Sequence, residues 1–416
     1  MIGVHGRGSG APVEIRKTIS FDVPREIVDS FNELQSRLKQ QEQQRTGGHS
    51  TGLSGTGLSG VGLSGTDIKI PAGLALHVAR ELACIEEEAV QELIAESKLT
   101  ASDVLAVGIH DPGLRTATPH GFFYQGLCDV SRLADQTGMN IIDSFPLQDI
   151  AAGGNGGPLF PLPTWIFLKS ETKPRVIIDL GRTARLTFLP RVENAFSHQK
   201  IQQIDAVPCG SLLDTLVWQL TGGKTAVDTG GRFAVQGCQN LQLMSALRTA
   251  VPAKEEWSPT GLKPDRYLTI AEKLAQSGLP QQDILCTVSC FIAEMVAGQA
   301  LRLMKTHGSL EAELLVQGSG QQHGLLMNSL MTHLPGRTLI PLSQLGVPVD
   351  TLDALCTAML ALLAVDHVPG NLPHLTGSET AKPLGRITPG SIAHWHRLLC
   401  EMAGTKPNVH RARNVS

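Results

Sequence analysis

Aromatic residues and unbalanced charge are both scarce in this chain of 416 residues. Phe, Trp and Tyr together make up 4% of the sequence, and the formal net charge is −3. Proteins that hold single-stranded nucleic acids commonly use aromatic stacking platforms, and those that hold polyanions use strongly basic surfaces. The composition therefore argues against nucleic-acid binding as the main function.

Paired cysteines and membrane-length apolar runs are also missing from the pattern. None of the eight cysteines forms a C-x-x-C pair, and a chain this long can bury a core without disulfides. The apolar stretch 352–368 has Asp353 and Asp366 near its ends and is too short to span a bilayer. The polar, glycine-rich first residues are unlike a secretory signal. We expect a cytoplasmic protein that does not bind membranes.

Alternating strand-like and helical segments predict an α/β fold, and the length allows two lobes. The predicted strands lie at 13–21, 104–109, 140–145 and 313–317, and the predicted helices at 24–39, 68–98, 127–137, 241–250 and 284–306. The polar residues 40–48 break the helical pattern. Between Gly52 and Gly65 the sequence G-L-S-G-x is repeated, which is typical of a flexible linker. A phosphate cradle is the alternative there, but no strand–loop–helix context surrounds the repeat.

The stretch from Asp149 to Pro161 reads D-I-A-A-G-G-N-G-G-P-L-F-P. Four glycines within five residues allow the backbone to approach a ligand closely. The carboxylate that precedes them could deprotonate a nucleophile. A loop that joins two lobes, with Asp149 as an ordinary cap, would explain the same pattern.

Residues 175–189 predict a hairpin, because an apolar strand, a tight glycine turn and a second strand follow one another. Its turn carries D-x-G-x-T at Asp179, Gly181 and Thr183. An acid, a glycine-rich backbone and such a turn are the parts that phosphoryl transfer needs. A second glycine turn, Gly318 to His323, follows a predicted strand and could seat a nucleotide.

Other polar residues are less informative. His110 and Asp111 follow the strand predicted at 104–109, where ligands of open α/β sheets collect, although a turn stabilised by Asp111 is the simpler explanation. His394, His396 and His410 do not have the spacing of metal ligands, and no metal site is assigned.

Six blocks between about Ile68 and Gly390 share their motifs and spacing with one family. D-[IV]-A-x-G-G-Q-G-A-P-L matches 149–159, and G-N-L-P-x-V-T-G-A is nearly intact at 370–378. Weaker matches are D-T-G-P-G-N-x-L-x-D at 205–214, D-x-x-G-x-x-A-x-x-G at 228–237, G-G-G-x-x-N at 318–323 and E-A-x-x-F-A-x-L-A at 353–361. The chain thus resembles the anhydro-N-acetylmuramic acid kinases.

The resemblance implies a two-lobed actin/hexokinase-like (ribonuclease H-like) fold with an interlobe cleft, and a possible homodimer. The implied divisions are 1–39 as the start of lobe I, 40–66 as a flexible Gly/Ser-rich insertion, 67–170 as the rest of lobe I, 171–390 as lobe II and 391–416 as a C-terminal helix and tail.

The resemblance also implies chemistry, with ATP and Mg²⁺ as cofactors and an amino sugar as substrate. Asp149 would be the general base for a water that opens the anhydro ring, and the released hydroxyl would take the γ-phosphoryl group, a step in cell-wall amino-sugar recycling. The implied sugar-binding residues are His110, Gly153, Gly154, Asn155, Gly156 and Asp353. The implied nucleotide- and phosphate-binding residues are Asp179, Gly181, Thr183, Asp205, Asp214, Gly318 and Gly320.

Several positions depart from the family pattern. The family's first phosphate loop, G-L-M-S-G-T-S-L-D-G, is expected to precede this chain's first residues. H-G-Q-T is reduced to residues 110–113, D-T-G-P-G-N has lost its glycines, K-S-T-G retains only Thr260 and Gly261, and arginines occupy 182 and 185 in the hairpin. Two hypotheses follow: a divergent sugar kinase, or an inactive pseudo-kinase scaffold that binds a sugar, a nucleotide or a partner protein. Asp149 and its glycines favour the first hypothesis, and Arg182 and Arg185 favour the second.

Overall fold

The computed structural model describes residues 2–5, 14–21, 23–46, 71–118, 121–250 and 264–404. The chain forms two compact units. The first contains the residues up to Pro163 and those from Asp353 onward, and the second runs from Thr164 to Leu352. Each unit has a sheet and helices of its own, which confirms the predicted two-part α/β fold. The GLSG repeat, Thr260, Gly261 and the C-terminal tail lie outside the described residues.

The described elements alternate along the chain. The strands are β1 (Ile2–His5), β2 (Glu14–Thr18), β3 (Val107–Gly108), β4 (Leu114–Thr118), β5 (Gly121–Gln125), β6 (Ile141–Asp143), β7 (Arg175–Leu180), β8 (Thr183–Leu189), β9 (Gln202–Pro208), β10 (Glu313–Gln317), β11 (Leu339–Pro341) and β12 (Arg386–Thr388). The α-helices are α1 (Arg25–Thr46), α2 (Ala72–Ser97), α3 (Val130–Thr137), α4 (Pro146–Ala151), α5 (Pro161–Leu168), α6 (Gly210–Leu220), α7 (Leu241–Ala250), α8 (Pro264–Ala275), α9 (Gln281–Thr306), α10 (Gly324–His333), α11 (Leu352–Val365), α12 (Pro373–Thr376) and α13 (Ile392–Met402).

In the first unit, β6 is the central strand of the sheet β12–β6–β3. β3 runs parallel to β6, whereas β12 is antiparallel and places Arg386 opposite Asp143. The Arg386 guanidinium donates to both oxygens of the buried Asp143 carboxylate, at 3.2 and 2.7 Å. This pairing draws the C-terminal segment back to the first unit. The expected lobe II extends to residue 390, whereas the second compact unit ends at Leu352 and the residues from Asp353 onward belong to the first.

In the second unit, the sheet has the order β11–β10–β7–β8–β9. β7, β8 and β9 form an antiparallel meander, and β10 lies parallel to both β7 and β11. The hairpin predicted at 175–189 is confirmed as β7 and β8. Because β7 and β10 are parallel neighbours, their carboxyl ends and the turns that follow them meet at one edge of the sheet.

Helix α9 forms the centre of the second unit's core. It packs against β7, β8, β9, α6, α7 and α10. By length and composition it could cross a membrane, but 67% of its most apolar window is buried inside the structure. Core helices of folded domains are apolar on most sides for this reason. Helix α9 is thus longer than the apolar stretch at 352–368, from which the expectation about membranes was drawn.

Three local predictions were inaccurate. Helix α1 continues to Thr46 rather than ending near Lys39, because Gln, Glu and Arg are good helix formers and the first glycine comes at Gly47. The strand predicted at 104–109 shrinks to the half-buried β3, which pairs with β6 alone. The antiparallel pair β4–β5 was missed, although its Thr, Phe and Tyr content is typical of strands.

Candidate active site

Asp149 lies in α4, the short helix that follows β6 and has Pro146 in its first turn. Its side chain is fully buried. The amide of Gly156 donates to Oδ2 at 2.8 Å, and Asn371 Nδ2 donates to Oδ1 at 2.6 Å. Asp149 is thus not an ordinary helix cap, since its carboxylate is held by the glycine loop on one side and by a distant segment on the other.

The glycines of this loop make room for the Asp149 carboxylate. A Cβ atom on Gly154 would lie 2.3 Å from Asp149 Oδ2, which is far shorter than a van der Waals contact. Gly153 and Gly156 have φ angles of +82° and +74°, which residues with side chains rarely adopt. The loop is tied down at its centre, where the amide of Asn155 donates to the carbonyl of Thr376 at 2.8 Å.

Asn371 belongs to the 370–378 segment, whose motif was recognised in the sequence without this residue being singled out. It is 2% exposed. Besides binding Asp149, its Nδ2 donates to Ser378 Oγ at 2.9 Å, and its Oδ1 accepts from the amide of Lys382 at 2.7 Å. These contacts fix the amide orientation, so that a donor, and not an acceptor, faces the Asp149 carboxylate.

Arg115 on β4 is a candidate site residue that the sequence analysis missed. Its Nη1 lies 3.6 Å from the position of a Cβ on Gly157, at the end of the glycine loop. Burial lowers the pKa of the Arg115 guanidinium, and the charge of Asp149 opposes that shift. Among the described residues, Arg115 Nε has no hydrogen-bond partner. A lone basic residue just after the His110 turn was the signal in the sequence that could have identified it.

The other candidates in the first unit have different surroundings. The exposed His110 packs against Phe160, just after the glycine loop, with ring centroids 5.2 Å apart. Asp111 is buried and accepts from the amides of Gly113, Leu127 and Cys128 at 2.8–2.9 Å, as the turn explanation predicted. Asp353 is exposed in the first turn of α11. The structure thus brings His110 to the exit of the glycine loop.

Four candidates of the second unit meet at the edge where β7 and β10 end. Gly318 has a φ of +87°, and a Cβ there would lie 2.8 Å from Asp179 Oδ1 and 2.8 Å from the amide nitrogen of Gly181. A Cβ on Gly320 would lie 2.7 Å from the carbonyl oxygen of Leu180. The turn after β10 can therefore rest on the β7–β8 turn only because both of these residues are glycine.

The start of α6 is already bonded to the same hairpin turn. The amide of Gly210 donates to the carbonyl of Gly181, and those of Cys209 and Ser211 donate to the carbonyl of Arg182, all at 3.0 Å. Donors that are used in this way cannot also bind a phosphate. The amides at 209–211 are therefore not available to bind a phosphate.

The three carboxylates near this turn differ in their partners. Asp205 Oδ1 accepts from Arg185 Nε at 2.9 Å, and its side chain is only 9% exposed. Asp214 is exposed on α6; partial desolvation raises its pKa, and Arg182 opposes the shift. Burial and then Asp179 raise the pKa of the Cys209 thiol to about 12, and Asp214 contributes as well. The negative charges of Asp179 and Asp214 thus both act on the Cys209 thiol, whereas Asp205 is bound by Arg185.

The comparison with known families identifies the chain. A family model described as anhydro-N-acetylmuramic acid kinase matches residues 71–390. The chain belongs to this family. Curated anhydro-N-acetylmuramic acid kinases include one from Ralstonia nicotianae, 30% identical over 323 residues, which are 75% of this chain and 81% of the relative. The relative from Xylella fastidiosa is 31% identical, over 72% of this chain and 76% of its own length. That from Shewanella amazonensis is 32% identical, over 75% and 82%.

Membership of the anhydro-N-acetylmuramic acid kinase family confirms the resemblance found in the motifs and makes the chain a carbohydrate kinase by class. The comparisons lend no support to the pseudo-kinase hypothesis. Among solved structures, component A of the (R)-2-hydroxyglutaryl-CoA dehydratase of Acidaminococcus fermentans is 12% identical, over 66% of this chain and 82% of its own, with a TM-score of 0.35. A likeness this low decides neither fold nor function.

Proposed function

We propose that this protein opens the anhydro ring of anhydro-N-acetylmuramic acid and phosphorylates the released hydroxyl with ATP. The observation that carries the proposal is the buried carboxylate of Asp149, held between the Gly156 amide and Asn371 in a loop that matches the family motif. The proposed location is the cytoplasm, where ATP is available. The proposed reaction is a step in the recycling of cell-wall amino sugars.

Asp149 is the general base of this proposal. Each carboxylate oxygen can accept two hydrogen bonds, and each is given one donor by the described residues that hold it. One acceptor site per oxygen is left for a water molecule. The two donors fix the direction of these sites, and positioning of this kind supplies much of the rate in phosphoryl transfer. The water would attack the anomeric carbon as its proton passes to Asp149, and the bond from that carbon to the bridging oxygen would break. The released oxygen would then take the γ-phosphoryl group of ATP, with ADP as the leaving group.

The sugar would lie along the glycine loop. The proposed substrate, a muramic acid derivative, carries a carboxylate. Arg115 places its guanidinium beside Gly157, and its Nε has no hydrogen-bond partner among the described residues. Guanidinium groups bind carboxylates through two parallel hydrogen bonds. We therefore assign recognition of the substrate carboxylate to Arg115. His110, Gly153, Gly154, Asn155 and Asp353 are the further sugar-binding residues of this proposal.

ATP would bind at the turns after β7 and β10, with its phosphates near Asp179, Gly181 and Thr183 and its nucleoside near Gly318 and Gly320. Mg²⁺ commonly needs only one or two protein carboxylates, together with phosphate oxygens and water. We assign it to Asp179 and Asp214, because the charges of both carboxylates act on the same thiol, that of Cys209. Bound there, the ion would neutralise charge on the phosphates. Asp205, another of the predicted phosphate ligands, already binds Arg185.

The test of this function is the variant Asp149→Asn. The amide keeps the size of the side chain but cannot take a proton, and we expect turnover to fall by about 10²–10⁴-fold. The dissociation constant of Mg-ATP, measured by calorimetry, should stay nearly unchanged. Asp129→Asn is the matched control: this residue is exposed and caps α3, and Asn is an equally good cap.

Equal turnover of Asp149→Asn and the wild type would remove Asp149 from the mechanism. A wild-type chain that binds Mg-ATP and sugar without transferring phosphate would instead restore the pseudo-kinase hypothesis. Phosphorylated sugar, detected by mass spectrometry, distinguishes these results.

A further inference from the structure

His323 lies between the 3₁₀ turn Ser319–Gln322 and helix α10. It is 8% exposed. Its Nδ1 accepts a hydrogen bond from the amide of Leu326 at 3.2 Å, so the imidazole is the N-cap of α10. Its own amide donates to the carbonyl of Gly320 at 3.1 Å. The residue therefore joins the glycine turn to the helix that follows it, with its backbone amide on the turn and its imidazole on the helix.

The cap bond decides the protonation state of the ring. An imidazole nitrogen that accepts a hydrogen bond carries no proton, so Nδ1 is bare and the neutral ring carries its hydrogen on Nε2. Nε2 lies 3.5 Å from Ser289 Oγ on α9 and 4.0 Å from Asp228 Oδ2. A second proton would go to Nδ1 and turn two donors, Nδ1 and the Leu326 amide, towards each other.

The surroundings of His323 are built for a ring of this size and leave little room for it to move. Gly231 has a φ of +75°, and a Cβ there would lie 2.6 Å from the ring atoms Cε1 and Nδ1. Asp228 is itself fixed, because it accepts from the amides of Phe233 and Ala234 at 2.9 Å. Ser289 donates to the carbonyl of Leu285 and can accept from Nε2. The ring thus cannot swing away and leave the cap to water.

We propose that His323 is a positioning residue for the nucleotide-binding turn at Gly318 and Gly320, and that it holds this turn only in its neutral form. The proposal rests on the nucleotide site of the proposed function. It adds a built-in pH sensor: when the ring gains a proton, α10 loses its cap and the preceding turn loses its support.

The electrostatics give the direction of this effect. Burial lowers the pKa of His323 from its ordinary value of 6.5, and Asp228 opposes the shift. Asp228 is the charged group that acts on the ring from the turn before Gly231; α9 presents the Ser289 hydroxyl, and α10 presents the Leu326 amide. The ring is therefore neutral above pH 6.5, and support for the turn is lost as the pH falls below the pKa of the folded protein.

Two variants separate the cap from the titration. His323→Asn provides an amide oxygen that can cap α10 at every pH, because Asn is a good N-cap and does not titrate. His323→Ala removes the cap at every pH. Mg-ATP dissociation constants are measured by calorimetry on the full chain between pH 8 and pH 5. Since ATP itself gains a proton in this range, the wild-type constant is divided by that of His323→Asn at each pH.

We expect this ratio to be constant near pH 8 and to rise by up to about tenfold for each pH unit below the pKa of His323. His323→Ala should bind ATP more weakly at pH 8, and His323→Asn should restore binding there. A ratio that stays constant down to pH 5 would overturn the proposal, whereas failure of the wild type to bind ATP at any pH would overturn the nucleotide site itself.

Hydrogen exchange tests His323 even without bound nucleotide. Protection of the amides from 318 to 326 should fall at low pH in the wild type relative to His323→Asn. Equal protection in both proteins from pH 8 to pH 5 would contradict the sensor, independently of any result with ATP.

Discussion

Asp149 depends on a residue that is 222 positions away in the sequence, Asn371. A buried carboxylate costs several kcal/mol unless hydrogen bonds replace its water. The Gly156 amide and the Asn371 side chain supply these bonds, and the glycine at 154 supplies the space. At the scale of the residue, the glycine-rich motif therefore accommodates the Asp149 carboxylate itself, whatever ligand it also binds.

Arg115 yields a prediction at the same scale. Arg115→Gln removes the charge and keeps a polar side chain, and a charge-assisted hydrogen bond is worth about 1.5–3 kcal/mol. We expect the KM for the sugar acid to rise by about 10–100-fold, while kcat changes less. The KM of Arg115→Lys should lie between those of the wild type and Arg115→Gln, because lysine keeps the charge but cannot form two parallel hydrogen bonds.

The matched control for Arg115 is a substrate whose carboxylate has been converted to an amide. Steady-state kinetics with this analogue should show a similar KM for the wild type and Arg115→Gln. If the variant loses as much with the amide as with the acid, Arg115 does not recognise the carboxylate.

At the scale of the elements, the second unit joins two turns by close backbone contact. The turn after β10 rests on the β7–β8 turn, and α6 begins with three amides bonded to the same hairpin. No side chain separates these backbones at Gly318 and Gly320. Main-chain atoms thus set the geometry of this end of the sheet, as they do in backbone sites that bind anions. The surrounding side chains have little influence on the spacing of the two turns.

Gly318→Ala tests that contact. The new Cβ would meet Asp179 and Gly181 at 2.8 Å, and the φ of +87° adds backbone strain of about 1–3 kcal/mol. We expect a lower urea midpoint of unfolding and weaker Mg-ATP binding. Gly298→Ala is the control: Gly298 lies inside α9 with nothing within 4 Å of its Cβ position, and this variant should gain about 1 kcal/mol.

Similar midpoints for Gly318→Ala and Gly298→Ala would show that the turn can move away from the hairpin. The requirement for glycine at 318 would then have to come from the ligand and not from the fold.

At the scale of the whole molecule, the buried His323 and the half-buried His307 make stability depend on pH. His307 stacks on Phe188 with ring centroids 3.9 Å apart, and its Nε2 lies 2.9 Å from Gln202 Oε1. Burial lowers the pKa of His307, as does Lys200, and burial lowers that of His323. Both rings are thus neutral in the folded protein at pH values where the unfolded chain begins to bind protons.

The sign of the effect follows from proton linkage. A histidine in the unfolded chain has a pKa of about 6.5, and below this pH it binds a proton more readily than His307 or His323 does in the folded protein. The free energy of unfolding therefore falls as the pH falls. The stability that neutral His307 and His323 contribute is complete above this pH. We expect the urea midpoint to drop between pH 8 and pH 5.5, and to drop less in the double variant His307→Asn/His323→Asn. Parallel drops in both proteins would assign the acid sensitivity to the carboxylates.

Short-range patterns in the sequence predicted most of the long local elements and the family. The β7–β8 hairpin and the long helices follow from periods of two and 3.6 residues, which reflect contacts between neighbours in the chain. The motifs at 149–159 and 370–378 predicted the family that the comparison at 71–390 confirms. Asp149, Gly318 and Gly320 could be selected in advance because short-range patterns surround each of them.

The contacts of these residues, in contrast, arise from packing between segments that are distant in the chain. Local patterns do not encode that Asn371 faces Asp149, that Arg115 lies beside the glycine loop, or that β12 returns to β6. Nor did they reveal that Arg185 occupies Asp205 or that His323 caps α10 beside Asp228. Such contacts join residues far apart in sequence. They depend on how the elements pack and on which buried polar groups must find partners, and a periodic pattern of apolar residues carries neither kind of information.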